Sequence, residues 1–279
     1  MIVDAHHHLW SAARGDYHWM SPDDPVLGRD YLPADLAPLL RRAGVDRTVL
    51  VQAAQTEAET QFLLELAAAS DFVAGVVGWL DFDDAELPRK LEKLLRQPKF
   101  VGLRPMLQDI EDDAYILRPR VLQNLRHVAE LGVPFDFLTY PRHLRNVARA
   151  LEAVPGLRAV IDHVSKPPIA SGRLESWAED IARIAAEHPG VRCKLSGMVT
   201  EADLATWRPA DLAPFVRHVV STFGEDRILF GSDWPVCLLA ASYAEVLNAL
   251  RTLVAPLLDA AGLEKLFGRN AIAFYKLEV

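Results

Sequence analysis

In the stretch Asp4-Ala5-His6-His7-His8-Leu9-Trp10, which follows the apolar start Met1-Ile2-Val3, His6 and His8 stand two residues apart. In an extended strand alternate side chains share a face, so Asp4, His6 and His8 point one way and Val3, Ala5 and His7 the other. Two imidazoles on one face at a strand end can converge on one ion or one substrate. The plainer alternative is a tag remnant or surface cluster, but a tag would be longer and would not sit in an apolar, β-prone run. Further candidates stand at the ends of later apolar runs: Gln52, Trp79, Arg104, Tyr140, His163, Ser196 and Asp233. Arg104 can fork onto a carboxylate or a developing oxyanion, or pair with an acid at a rim. His163 reads as a reacting group or as a satisfied core histidine, and Asp233 as an acid–base carboxylate or as a turn cap before Pro235. Trp19, Trp79, Tyr140 and Trp234 are packing residues first, and packing around a pocket is how small ligands are held. Lys194 is expected to be buried with a partner such as Asp4. His127, His143, His188 and His218 are expected to be solvated in or beside helices.

These candidates share a position because of a rhythm in the chain. Apolar runs at 47–52, 73–80, 100–104, 133–138, 157–163, 191–196 and 227–233 follow the first strand. Each is succeeded by an amphipathic stretch: 57–69, 85–96, 119–131, 143–153, 174–188 and 211–223, then helices after Ser242 and near Glu264. The first strand reaches its helix, opened by Pro33 and stopped by Gly44, through a polar and aromatic segment from Ser11 to Asp30. That segment has too many breakers for a regular element and too many aromatics for a linker, and reads as a lid. Continuous apolar strands separated by helices mean parallel pairing with both faces covered. Eight such units in 279 residues suit a closed (β/α)8 TIM barrel, one domain over residues 1–279, whose reacting groups sit at the C-terminal strand ends. No Gly-x-Gly-x-x-Gly opens the first helix, which weakens the nucleotide-binding alternative.

A formal charge of -8 argues against binding a nucleic-acid backbone. No apolar run approaches the roughly 20 residues of a membrane span. Two cysteines, Cys193 and Cys237, make no disulfide framework. Together with a start that lacks a secretory pattern, this leads us to expect a cytoplasmic protein acting on a small molecule, as a monomer or homodimer.

Several segments together carry a resemblance. They are Asp4-Ala5-His6-His7-His8, Ile161-Asp162-His163-Val164-Ser165-Lys166-Pro167, Lys194-Leu195-Ser196-Gly197, Phe230-Gly231-Ser232-Asp233-Trp234-Pro235-Val236 and Gly268-Arg269-Asn270-Ala271. Spread over the whole chain, they resemble the amidohydrolase superfamily in its branch of sugar-acid lactonases, which includes L-fuconolactone and L-rhamnonolactone hydrolases and the 2-pyrone-4,6-dicarboxylate lactonase. The continuation from Cys237 to Tyr243 looks most like the fuconolactonase type, which implies a place in carbohydrate catabolism such as L-fucose breakdown. The resemblance implies that His6, His8 and His163 face a reacting carbonyl, directly or through one divalent ion such as Zn²⁺, and that Asp233 handles the attacking water's proton. If an ion binds, His6 and His8 are expected as ligands, with His163 or Asp233 completing the set. The chain departs from many superfamily members in offering no evident carboxylated Lys or Glu to bridge two metals, and some members of the branch work without metal.

The residues agree with that chemistry. A lactone needs its carbonyl polarised, a water deprotonated and a ring oxygen reprotonated. Nothing suggests a covalent nucleophile: there is no Gly-x-Ser-x-Gly, and Ser196 has no dedicated base. Two other readings stay open, a metal-dependent non-oxidative decarboxylase of the same superfamily and a barrel that binds without catalysis.

Overall fold

The computed structural model describes residues 1–279. Its eight strands are β1 (Val3–His7), β2 (Arg47–Val51), β3 (Val73–Gly78), β4 (Phe100–Leu103), β5 (Phe135–Phe137), β6 (Ala159–Ile161), β7 (Arg192–Leu195) and β8 (Ile228–Phe230). They pair in sequence order, all parallel. The ring is completed from β8 to β1 by a bridge between His7 and Trp234, with His8 N–H donating to Trp234 O (2.7 Å) and Asp233 N–H to His6 O (2.8 Å). This is the expected (β/α)8 barrel.

The helices start and stop where local chemistry dictates. In α1 (Pro33–Ala43) the Asp35 carboxylate accepts the Leu32 N–H at 2.9 Å, and Gly44 ends the helix at φ 68°. Thr56 caps α2 (Glu57–Ala68) by accepting the Glu59 N–H at 3.0 Å. The wall continues with α3 (Leu87–Leu94), α4 (Pro119–Glu130), α5 (Leu144–Ala153), α6 (Trp177–Glu187), α7 (Pro209–Phe223) and α8 (Tyr243–Val254), followed by the short α9 (Ala260–Glu264) and α10 (Asn270–Tyr275). No helix is long and apolar enough to cross a membrane. Cys193 and Cys237 are free and buried.

Inside the barrel Val3, Ala5, Val49, Val51, Val77, Val160 and Leu229 form a small core, separate from the larger one between sheet and helices. Phe274, Tyr275 and Leu277 from the chain's end join that inner core and plug the N-terminal end of the barrel. The 11–30 segment is a long excursion whose base is closed by the Trp10–Tyr31 bridge. It docks on the β2–α2 connection through Trp19 Nε1–H to Ala53 O (2.7 Å) and Thr56 Oγ1–H to Asp16 (3.0 Å).

Candidate active site

The strands end earlier than their apolar runs, and His163 and Asp233 lie beyond β6 and β8 rather than on them. Local irregularities bring the groups to the mouth. β1 carries a register shift between Asp4 and His7. Val3 and Ala5 lie in the inner core, and His6 contacts groups inside the barrel too. Asp4 instead accepts from Tyr243 Oη on α8 (3.0 Å), while His7 pairs with Thr48 Oγ1 (2.8 Å). Simple alternation puts His6 on the face of Asp4; the bulge moves it to the other.

After β6, His163, Val164, Ser165 and Lys166 take φ values of 53°, 47°, 60° and 49°. The left-handed region costs an L-residue roughly 1–2 kcal/mol, so this run persists only because its surroundings over-determine it. Asp233, at φ 58°, precedes a cis Trp234–Pro235 bond. Two glycines clear the space. A Cβ on Gly197 would stand 2.5 Å from His163 Nδ1, and one on Gly231 2.6 Å from His6 Cβ.

The result brings His6, His8, His163 and Asp233 together, all buried. His6 Nε2 is 3.3 Å from His8 Nε2 and 3.8 Å from Asp233 Oδ1; that oxygen is 3.3 Å from His8 Nε2 and 3.8 Å from His163 Nε2. An ion bound tetrahedrally at about 2.0–2.1 Å from each ligand sets them about 3.4 Å apart. The set His6, His8 and Asp233 therefore fits a divalent metal. His8 Nδ1 lies 2.8 Å from Val51 O and donates to it, which leaves the Nε2 lone pair facing inward.

Burial, more than any other cause, drives His163 and His6 well below the ordinary histidine value, so both are neutral at pH 7. Burial works against ionisation of Asp233 too, but the nearby His163 and His8 rings and the Lys166 ammonium outweigh it and hold the carboxyl below its usual range. Asp233 is therefore a carboxylate beside the neutral imidazoles of His6 and His163.

On the inner side of His6 lies a stack of charges that the sequence did not announce. Lys194 Nζ, fully buried, is 2.6 Å from Asp136 Oδ2, 2.9 Å from Asp162 Oδ1 and 3.1 Å from His6 Nδ1. Tyr275 Oη–H donates to Asp136 (2.7 Å). The expected partner Asp4 is instead taken by the Ser232 N–H (2.9 Å) and Tyr243, because Asp4 is on the other side of the strand. Asp162, 3.5 Å from His6 Nδ1, is a second carboxylate beside the histidines. It was legible only as the neighbour of His163, and Tyr275 carried no signal.

Arg104 is less free than its fork suggested. Nη1 lies 3.3 Å from Asp162 Oδ2, Nη2 donates to Gln52 O, and Gln52 Nε2–H returns a bond to Arg104 O at 2.6 Å. Both residues are buried, and Arg104 Nη1 also stands 3.3 Å from His6 Nε2. The Trp234 ring meets Tyr31 edge-on at 5.1 Å. Trp10, which the sequence reading passed over, packs on Tyr17, Trp19 and Tyr31 and stands 6.5 Å from His8. Trp19 remains 39% exposed. Trp79, one residue past β3, borders an outer groove with Thr60, Arg89 and Lys90 and makes no hydrogen bond to the imidazole cluster. Tyr140 lies beside Lys166, Arg142 and His143. Ser196 Oγ bonds His163 Nδ1 at 2.9 Å. Of the four histidines expected in solvent, His143 is buried, with its ring accepting the Tyr140 N–H, and His127, His188 and His218 are half-buried, His218 donating to Ala178 O. A cleft of about 640 Å³ opens elsewhere, near Arg47, Lys99 and Lys276, and has no histidine in its lining.

Comparison with known proteins places the chain in a family. The family profile described as "Amidohydrolase" matches residues 3–277. The chain is 42% identical to a Burkholderia ambifaria protein named L-fucono-1,5-lactonase, over 99% of this chain and 96% of that protein. It is 36% identical to a Burkholderia multivorans protein of the same name, again over 99% and 96%. A crystal structure of a Burkholderia multivorans amidohydrolase with bound Zn superposes with a TM-score of 0.94 at 35% identity, covering 100% of both chains.

Proposed function

The chain belongs to the amidohydrolase family, and from that membership we propose that it hydrolyses a sugar-derived lactone, L-fucono-1,5-lactone or a close analogue, to the sugar acid. The observation that carries the reading is the Asp233 oxygen set 3.3–3.8 Å from three imidazole nitrogens, in a chain 42% identical to a protein named as such a lactonase.

Asp233, ionised, takes a proton from water as the water oxygen attacks the lactone carbonyl. The oxyanion that forms is met by N–H groups of neutral imidazoles, which need not lose a proton to help. When the tetrahedral species collapses, the carbonyl carbon–ring oxygen bond breaks, and the ring oxygen takes the proton back from Asp233. Water has then been added across one ester bond, and the carboxylic acid gives its remaining proton to solvent and leaves as a carboxylate. His6, His8 and Asp233 would hold a divalent ion, zinc by analogy with the bound relative, with His163 outside that set. Bound there, it supplies Lewis-acid polarisation of the carbonyl.

A panel of aldonolactones assayed by pH indicator, with native and chelator-treated protein and metal content measured on the same samples, tests both parts. Release of CO₂ without lactone turnover would place the chain with the decarboxylases instead. Full activity in chelated, metal-free protein would leave the histidines as direct hydrogen-bond donors.

A further inference from the structure

Lys166 and Glu201 form a pair at the mouth to which the mechanism above gives no role toward the substrate. Lys166 closes the left-handed turn, its N–H bonded to His163 O at 2.7 Å, so the turn that delivers His163 delivers Lys166 beside it. Its Nζ stands 4.0 Å from Glu201 Oε1, with the two side chains only 19% and 22% exposed. That separation is too long for a hydrogen bond, and neither charged tip has another protein partner. Elsewhere in the molecule ammonium–carboxylate pairs close fully, as in Lys265–Glu225 at 2.6 Å and Lys90–Asp84 at 2.8 Å. The Tyr140 ring lies 5.4 Å from the Lys166 ammonium, and its phenol is likewise without a protein partner. The pair adjoins the chemistry, because Lys166 ends the turn that begins at His163, its N–H on the His163 carbonyl.

A half-buried cation and carboxylate held 4.0 Å apart can be bridged by a group that accepts from one and donates to the other. A hydroxyl does both at once. We propose that Lys166 and Glu201, flanked by Tyr140, bind a ring hydroxyl of the substrate and so select polyhydroxylated lactones over bare ones. This rests on the lactonase reading and adds what the mechanism lacks, since His6, His8, His163 and Asp233 recognise only the ester common to every lactone. A site built to hydrogen-bond a hydroxyl rejects the analogue without it, because its own polar groups are then left unpaired.

The test is a selectivity ratio: kcat/KM for L-fucono-1,5-lactone divided by kcat/KM for unsubstituted δ-valerolactone, in wild type, Lys166→Met and Glu201→Met. In each variant the ratio is expected to fall at least about tenfold, mainly through KM for the hydroxylated substrate. A ratio within about twofold of wild type overturns the proposal, whether both rates fall together or neither does. Wild type inactive on every lactone would defeat the lactonase reading by itself. The hydroxyl site is then read by calorimetry with the open-chain L-fuconate, which should bind wild type at least about tenfold more tightly than Lys166→Met; equal binding overturns it.

Discussion

On the inner side of His6, Lys194 lies within 2.6–2.9 Å of two carboxylates, one of which also receives Tyr275. On the outer side the gaps among His6, His8, His163 and Asp233 are 3.3–3.8 Å, and Lys166 and Glu201 stand 4.0 Å apart. Both regions are charged and largely buried, so burial is not what separates them. The inner stack sets each carboxylate against a cation, as buried charges must be if they are to be tolerated. The outer groups stand 3.3–4.0 Å apart, a spacing that suits a shared ion or ligand. The inner region therefore fixes His6, and the outer one does chemistry.

The comparison breaks first at Lys194. Lys194→Met leaves Asp136 and Asp162 buried without their cation, and removing one partner of such a pair costs about 3–5 kcal/mol. Urea denaturation should show that loss; a change below about 1 kcal/mol would mean the stack is not held as argued.

Glu59 sharpens the comparison as a buried carboxylate with no cation bonded to it. Its Oε1 accepts the Ala53 N–H at 2.8 Å and its Oε2 has no partner. Burial above all pushes its pKa from 4.5 to about 8, opposed by the Ala53 and Ala54 amides. The folded state thus holds this proton more tightly than the unfolded chain does. Its contribution to stability is complete below about pH 4.5 and fades as the pH rises towards 8. Between pH 5 and 8 wild type should lose about 3 kcal/mol relative to Glu59→Gln. Parallel stability–pH curves for the two proteins would contradict this.

A smaller effect is expected at Gly197, which touches only the outer region. Gly197→Ala puts a methyl 2.5 Å from His163 Nδ1 at a φ of +59°. Displacing the ring should lower kcat about tenfold or somewhat more, with the circular dichroism spectrum unchanged. Native kcat would show that the ring position does not matter.

The barrel was legible because its signals are local and repeated: eight apolar runs, Pro33 and Gly44 bracketing α1, Thr56 before α2. The site was legible as far as strand ends predict it. What escaped depends on backbone or on long range. Alternation misplaced His6 relative to Asp4 because a single bulge reverses it. Nothing in Val164-Ser165-Lys166, which contains no glycine, announces a left-handed turn. Lys194 finds Asp136 from 58 residues away, and Tyr275 finds it from 139; no pattern in sequence encodes such a meeting.

The central claim is that Asp233 moves the proton, and Asp233→Asn tests it with little change in shape. Steady-state hydrolysis of L-fucono-1,5-lactone should show kcat lowered by at least about a hundredfold, the range a positioned base supplies, with KM little changed and the thermal unfolding curve still cooperative. Near-native kcat in folded Asp233→Asn protein would contradict the account and pass the role to His163.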